Sequence, residues 1–156
     1  MNDSHIFFAL AAIMVMALAT AQASSNDNFY DLALQKCNSS APWTLHGLWP
    51  QWGTCCQGPP YNQSAMQPII HEMNKYWPSC PQYDTTNEQL WSHEWQKHGT
   101  CTGLEQTAYF QEGINLLLSS SSKCTSSSTS CSQCFTTAFE PTSYSNCQTS
   151  GTFPDC

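Results

Sequence analysis

The chain has 156 residues, a length that suits one domain, and carries four lysines, no arginine and eleven acids, for a formal net charge of −7. That balance excludes nucleic-acid binding through a broad basic surface, so any contact with a strand would rest on a few local cations and stacked aromatics. Ten cysteines behind an apolar leader imply a disulfide framework in an oxidising compartment.

Ile6 to Ala19 is an almost unbroken apolar run, and Ala21-Gln22-Ala23 has the small-x-small pattern that a signal peptidase cuts after. Residues 1–23 therefore read as a secretory signal peptide, although Asp3 and His5 stand where its n-region usually carries a cation. The run is too short to cross a bilayer comfortably, which takes about 20 apolar residues. No later stretch of the sequence qualifies, so no membrane partner is expected after cleavage, and residues 24–156 are expected to form one monomeric domain. All ten cysteines fall in that part. A metal-site reading of Cys131-x-x-Cys134 is the weaker one in such a compartment.

Phe29 to Gln35 reads as a strand through Phe29, Leu32 and Leu34, with Asp31 interrupting strict alternation. After the Ala41-Pro42 break, Trp43 to Leu48 reads as a second strand, stopped by Pro50. Residues 51–64 are a loop rich in Gly, Pro, Cys and Gln. Ser64 to Trp77 reads as a helix capped by Ser64 and ended by Pro78. Met66, Ile69, Ile70, Met73 and Trp77 recur on it at helical spacing, and the methionines read as core. His71, on the same helix, reads as a surface or structural residue. Pro81 to Thr86 is a loop, Asn87 to Gly99 a helix with Gly99 as its stop, and Thr107 to Leu118 a third helix. Residues 119–130 are nearly all Ser and Thr around Lys123 and Cys124, a loop by composition. Cys131 to Cys156 is cysteine- and turn-rich with little periodicity. Sequons at Asn38-Ser39-Ser40 and Asn62-Gln63-Ser64 mark candidate surface glycosylation sites.

Two segments hold most of the reactive side chains: His46-Gly47-Leu48-Trp49-Pro50, and His93-Glu94-Trp95-Gln96-Lys97-His98-Gly99-Thr100-Cys101. On a helix, where each residue advances about 100°, His93, Glu94, Lys97 and His98 fall on one side and Trp95 points elsewhere. A face with two imidazoles, an ammonium and a carboxylate is either solvated or a site. The zinc alternative needs His-Glu-x-x-His, with histidines at i and i+4; here they stand at i and i+5, roughly 140° apart on the wheel.

Together the two segments resemble the active-site signatures of the RNase T2 family, the transferase-type acid ribonucleases. The first is matched by His46 to Pro50 and the second by Trp91-Ser92-His93-Glu94-Trp95-Gln96-Lys97-His98-Gly99-Thr100-Cys101. Phe29 to Gln35 and Tyr76-Trp77-Pro78-Ser79-Cys80 are similar to flanking pieces of the family. The resemblance implies an α+β fold with a small antiparallel sheet and helices packed beside it. It also implies an endoribonuclease that cleaves RNA to 2′,3′-cyclic phosphates with neither metal nor other cofactor. His98 would be the general base and His46 the general acid, His93 would bind the phosphate, and Lys97 and Glu94 would stabilise the transition state. Trp49 would stack on a base. DNA, lacking the 2′-hydroxyl, would not be a substrate. The family also suggests a Cys37–Cys80 disulfide and one from Cys101 to either Cys55 or Cys56.

Gln51 stands where many members carry a base-reading acid, and Leu90 where an aromatic is common. Beyond Leu118 the resemblance weakens: the Ser/Thr tract stands where members continue with helix and strand, a shortening that could have cost a sheet strand. A secreted or lysosomal/vacuolar enzyme fits these features; the alternative is a catalytically impaired, cysteine-rich RNA-binding protein. A bell-shaped pH profile with an acidic optimum is expected, the net negative charge favouring charged imidazoles.

Overall fold

A computed structural model describes residues 28–120, 124–125 and 127–143. The 1–23 leader and Cys147 and Cys156 lie outside the described residues. The architecture is α+β: strands β1 (Phe29–Gln35), β2 (Thr44–Pro50) and β3 (Ser130–Thr136), with helices α1 (Ile70–Tyr76), α2 (Asn87–Lys97) and α3 (Gln106–Ser120). The strands form one antiparallel sheet in the order β2-β1-β3.

The central strand β1 turns Tyr30, Leu32 and Leu34 into the core, where they meet Leu45 and Leu48 of β2, Phe135 of β3 and Tyr109, Phe110, Ile114 and Leu117 of α3. Asp31 escapes this face by alternation, which is why it does not break the strand. β2 runs two residues further than the sequence implied, through Pro50, which pairs with Tyr30. An edge strand tolerates proline because its missing N–H leaves no inner ladder bond unmade.

The strand at 130–136 corrects the sequence reading, which placed little regular structure there. Its residues (SCSQCFT) lack apolar alternation, but every one of the seven pairs with a β1 residue, from Ser130 with Gln35 to Thr136 with Phe29. Here the ladder and the buried Phe135 hold a strand that side-chain pattern does not announce.

The Ser64–Trp77 helix is also corrected. Residues Gln63–Ile69 form a 3-10 turn containing Pro68, and the α-helix begins only at Ile70. Its cap is Asn62, whose side chain accepts from the Ser64 N–H. Met66, Ile69, Met73 and Trp77 are nonetheless all buried, and His71 is exposed. Pro81–Tyr83 is a 3-10 turn within the predicted loop, and α3 extends to Ser120. Disulfides join Cys37 to Cys80, Cys56 to Cys101 and Cys124 to Cys131. Both sequon asparagines are exposed.

Candidate active site

The site begins with an irregularity in β2. Across the β1–β2 ladder Gly47 pairs with Ala33 and Leu45 with Leu34, which leaves His46 as the extra residue of a β-bulge. Its freed carbonyl accepts a hydrogen bond from the buried Trp77 indole N–H at 2.7 Å. The bulge thus re-aims His46 and is pinned from the core side.

The second half of the site comes from α2, started by a capping box between Thr86 and Gln89. Two buried tryptophans fix how the helix lies: Trp91 donates to the Trp77 carbonyl and Trp95 to that of Pro59. Its C-terminal carbonyl, on Lys97, accepts from the Cys55 N–H and the Thr54 hydroxyl. With the Cys56–Cys101 disulfide, those bonds tie the end of α2 to the loop that follows β2. Gly99 is not a left-handed stop. A Cβ there would run into the Trp95 ring, so glycine is required by packing.

Four side chains converge where β2 meets α2. Glu94 is fully buried; its Oε2 accepts from the Trp49 indole N–H at 2.8 Å, and its Oε1 lies 3.8 Å from His46 Nε2. The Trp49 ring stacks on His98 with centroids 5.2 Å apart and planes at 28°, and meets His46 edge-on at 5.4 Å. Gly47 makes this possible. A Cβ at that position would overlap both Trp49 Nε1 and Glu94 Oε2, so the hydrogen bond passes over bare backbone. Gly47→Ala is expected to push the indole aside and cost about 1–3 kcal/mol by overpacking. A thermal melt several degrees below wild type, with altered tryptophan fluorescence, is the expected result; an unchanged melt would show that the contact is slack.

The four residues of the α2 face do not share one environment, as the helical wheel had implied. Glu94 and His98 turn inward, Lys97 is half-buried and His93 exposed. Burial pushes the Glu94 carboxyl up to about 8, against the Trp49 hydrogen bond and the Lys97 charge. It also lowers the His98 imidazole to about 3, helped by the charges of Lys97, His93 and His46. His46 is lowered too, by burial and then by His93. Net protein charge predicted the opposite direction for the imidazoles, and local desolvation with nearby cations overrides it. Burial thus opposes charge on both Glu94 and His46, so their 3.8 Å approach is a close contact and at most a weak ion pair.

Beside His46 opens a cleft of about 530 Å³ whose walls include Ala33, Gln35, Lys36, Trp49, Tyr83 and Ser132. Tyr83, 47% exposed, stands 5.9 Å from His46 and was missed by sequence reasoning, as was the need for Gly47. Leu90 is buried in the core and Gln51 donates to the Trp49 carbonyl, so neither opens onto this cleft. Among the described residues, no three His, Cys, Asp or Glu side chains converge as a metal site.

The model of the Ribonuclease T2 family matches residues 13–125. The chain belongs to the ribonuclease T2 family. Ribonuclease Oy of Magallana gigas is 38% identical over 91 residues, covering 51% of this chain and 42% of that protein. Among solved structures, a mutant of RNase MC1 in complex with 5′-GMP superposes with a TM-score of 0.53 at 30% identity, covering 60% of this chain and 58% of that one. Trichomaglin, described as an S-like ribonuclease, has a TM-score of 0.58 and 20% identity over 74% of this chain and 90% of its own, a likeness of fold. The chain thus spans less than two thirds of ribonuclease Oy and of RNase MC1.

Proposed function

We propose that this protein is an endoribonuclease that cleaves single-stranded RNA by acid/base transphosphorylation, using His46 and His98. The observation that carries this reading is the bracketing of one indole by two imidazoles, one on each main element of the site. RNA cleavage of this kind requires two such groups, one to remove a proton and one to supply it. His98, lowered far enough to be neutral, takes the proton of the ribose 2′-hydroxyl. Its Nδ1 is buried, which leaves Nε2 for the task. The 2′-oxygen bonds to phosphorus, the bond from phosphorus to the 5′-oxygen breaks, and His46 protonates that oxygen. The products are a 2′,3′-cyclic phosphate and a free 5′-hydroxyl.

His93 and Lys97 supply positive charge to the phosphate, and Glu94, held neutral by burial, donates a hydrogen bond to a phosphoryl oxygen. Trp49 offers the base the ring face that His98 does not cover. DNA has no 2′-hydroxyl and is not a substrate. The complex of an RNase MC1 mutant with 5′-GMP supports nucleotide binding by this fold. Residues 1–23 are proposed to direct residues 24–156, as one monomeric domain, to the secretory route and so outside the cell or to a lysosomal or vacuolar compartment. There Asn38 and Asn62 would carry glycans.

The direct test is a gel assay of RNA with the mature protein in EDTA. Shortened RNA bearing 2′,3′-cyclic ends is expected. Intact RNA after incubation with protein of native circular dichroism would overturn the proposal.

A further inference from the structure

We infer that Trp49 is a positioning residue, one indole that fixes the base His98 by stacking and the carboxyl of Glu94 by hydrogen bonding. This deepens the ribonuclease reading and rests on it for the word base.

Catalytic imidazoles are usually oriented by a hydrogen bond at the nitrogen that does not react. Among the described residues His98 lacks that device: its Nδ1 is buried and meets no hydrogen-bond partner there. What lies against the ring instead is the Trp49 indole, 5.2 Å away and 28° from parallel. His98 also sits just past the end of α2, with φ −121° and ψ −50°, so helical geometry does not dictate its direction. The same indole reaches in the other direction to Glu94 through its N–H at 2.8 Å. Glu94 lies on α2 one turn before His98, so the indole spans from β2 to a residue of that helix and to the residue that caps it. The glycine at 47 clears the space for that reach. Besides the indole, the charged or titratable groups acting on His98 are Lys97, His93 and His46.

A base platform alone and a positioning residue make different demands on the side chain. Trp49→Phe keeps an aromatic face for His98 and loses the N–H; Trp49→Ala loses both. Imidazole NMR of the RNA-free protein reads the first effect without any need for turnover. In wild type and Trp49→Phe, His98 is expected to titrate well below the ordinary histidine range. In Trp49→Ala it is expected to rise by at least one pH unit, and the acidic limb of the kcat/KM profile to move with it. Trp49→Phe is expected to lower kcat about tenfold and Trp49→Ala at least a hundredfold, with KM rising less than about threefold on uridine and adenosine dinucleotides alike.

If His98 titrates identically in wild type and Trp49→Ala, while KM rises in a base-dependent way, Trp49 is only a base platform and the inference fails. It fails equally if His98 titrates normally in wild type. An inactive wild type whose His98 still responds to Trp49→Ala would overturn the ribonuclease reading and leave the positioning role standing.

Discussion

Replacing either His46 or His98 with phenylalanine is expected to lower RNA cleavage by about 10²–10⁴-fold, the range that a lost general acid or base removes. Phenylalanine preserves a planar ring, so at position 98 the stack on Trp49 survives and circular dichroism should not change. The pH profile of wild-type kcat/KM carries the finer content. The base limb requires neutral His98, whose folded value is near 3, so activity should already be rising there. The acid limb requires protonated His46, whose value lies below the ordinary 6.5, so activity should fall before neutrality. The expected curve is a bell with its maximum between those limits. The acidic optimum therefore comes from desolvation of the acid, and not from a negative protein holding protons on its imidazoles. An optimum above pH 8, a flat profile, or near-wild-type activity in either variant would refute the assignment.

This reversal marks a limit on what sequence conveys. Helical spacing puts Glu94 and the position of His98 on one side, and the capping box at Thr86 and Gln89 gives α2 a readable start, but the direction of the His98 side chain, just past the helix end, is not set by that spacing. The alternating apolar residues of β1 likewise announce a strand. Other features depend on partners distant in the chain. The bulge at His46 exists because of its register against Ala33 and Leu34, and no local pattern encodes it. Gly47 could be noted as part of a signature, but its reason is a hydrogen bond from residue 49 to residue 94. The strand at 130–136 borrows its regularity from β1, since serine, glutamine and cysteine have little strand preference of their own. Charges are legible as a sum, whereas a pKa depends on where each group is buried.

The supports of the candidate site lie between residues 29 and 120. The Trp77 bond to the bulge, the Trp91 and Trp95 bonds of α2 and the Tyr109 hydroxyl bond to the Leu48 carbonyl come from residues within that span. β3 is the far edge of the sheet, yet its Ser132 still reaches the wall of the cleft beside His46.

The middle strand contains the second large expected effect: Asp31→Asn should stabilise the protein at pH 7 and leave it unchanged near pH 3. Asp31 sits in the middle strand opposite Trp49 and Cys134. Ser132 donates to its Oδ2 at 3.2 Å, and its Oδ1 is buried without a hydrogen bond. Burial raises the carboxyl from 3.8 to about 6, only partly opposed by the serine. Below pH 3.8 the folded and unfolded chains are both protonated there and folding incurs no penalty. Between 3.8 and about 6 the unfolded chain releases its proton first, so stability falls as pH rises; above 6 the loss is complete. Two units amount to roughly 3 kcal/mol. Asparagine keeps the shape and can still accept from Ser132, but has no charge to bury, so at pH 7 its melting temperature should exceed wild type by about 6–12 °C. Glu94, raised to about 8, acts with the same sign over a range that extends past neutrality. The lowered His98 and His46 act with the opposite sign below 6.5, so the Asp31 effect is read from the difference between variant and wild type at each pH and not from the wild-type melt alone. Equal melting of wild type and Asp31→Asn at pH 7 would mean that the sheet carries this carboxylate ionised without cost.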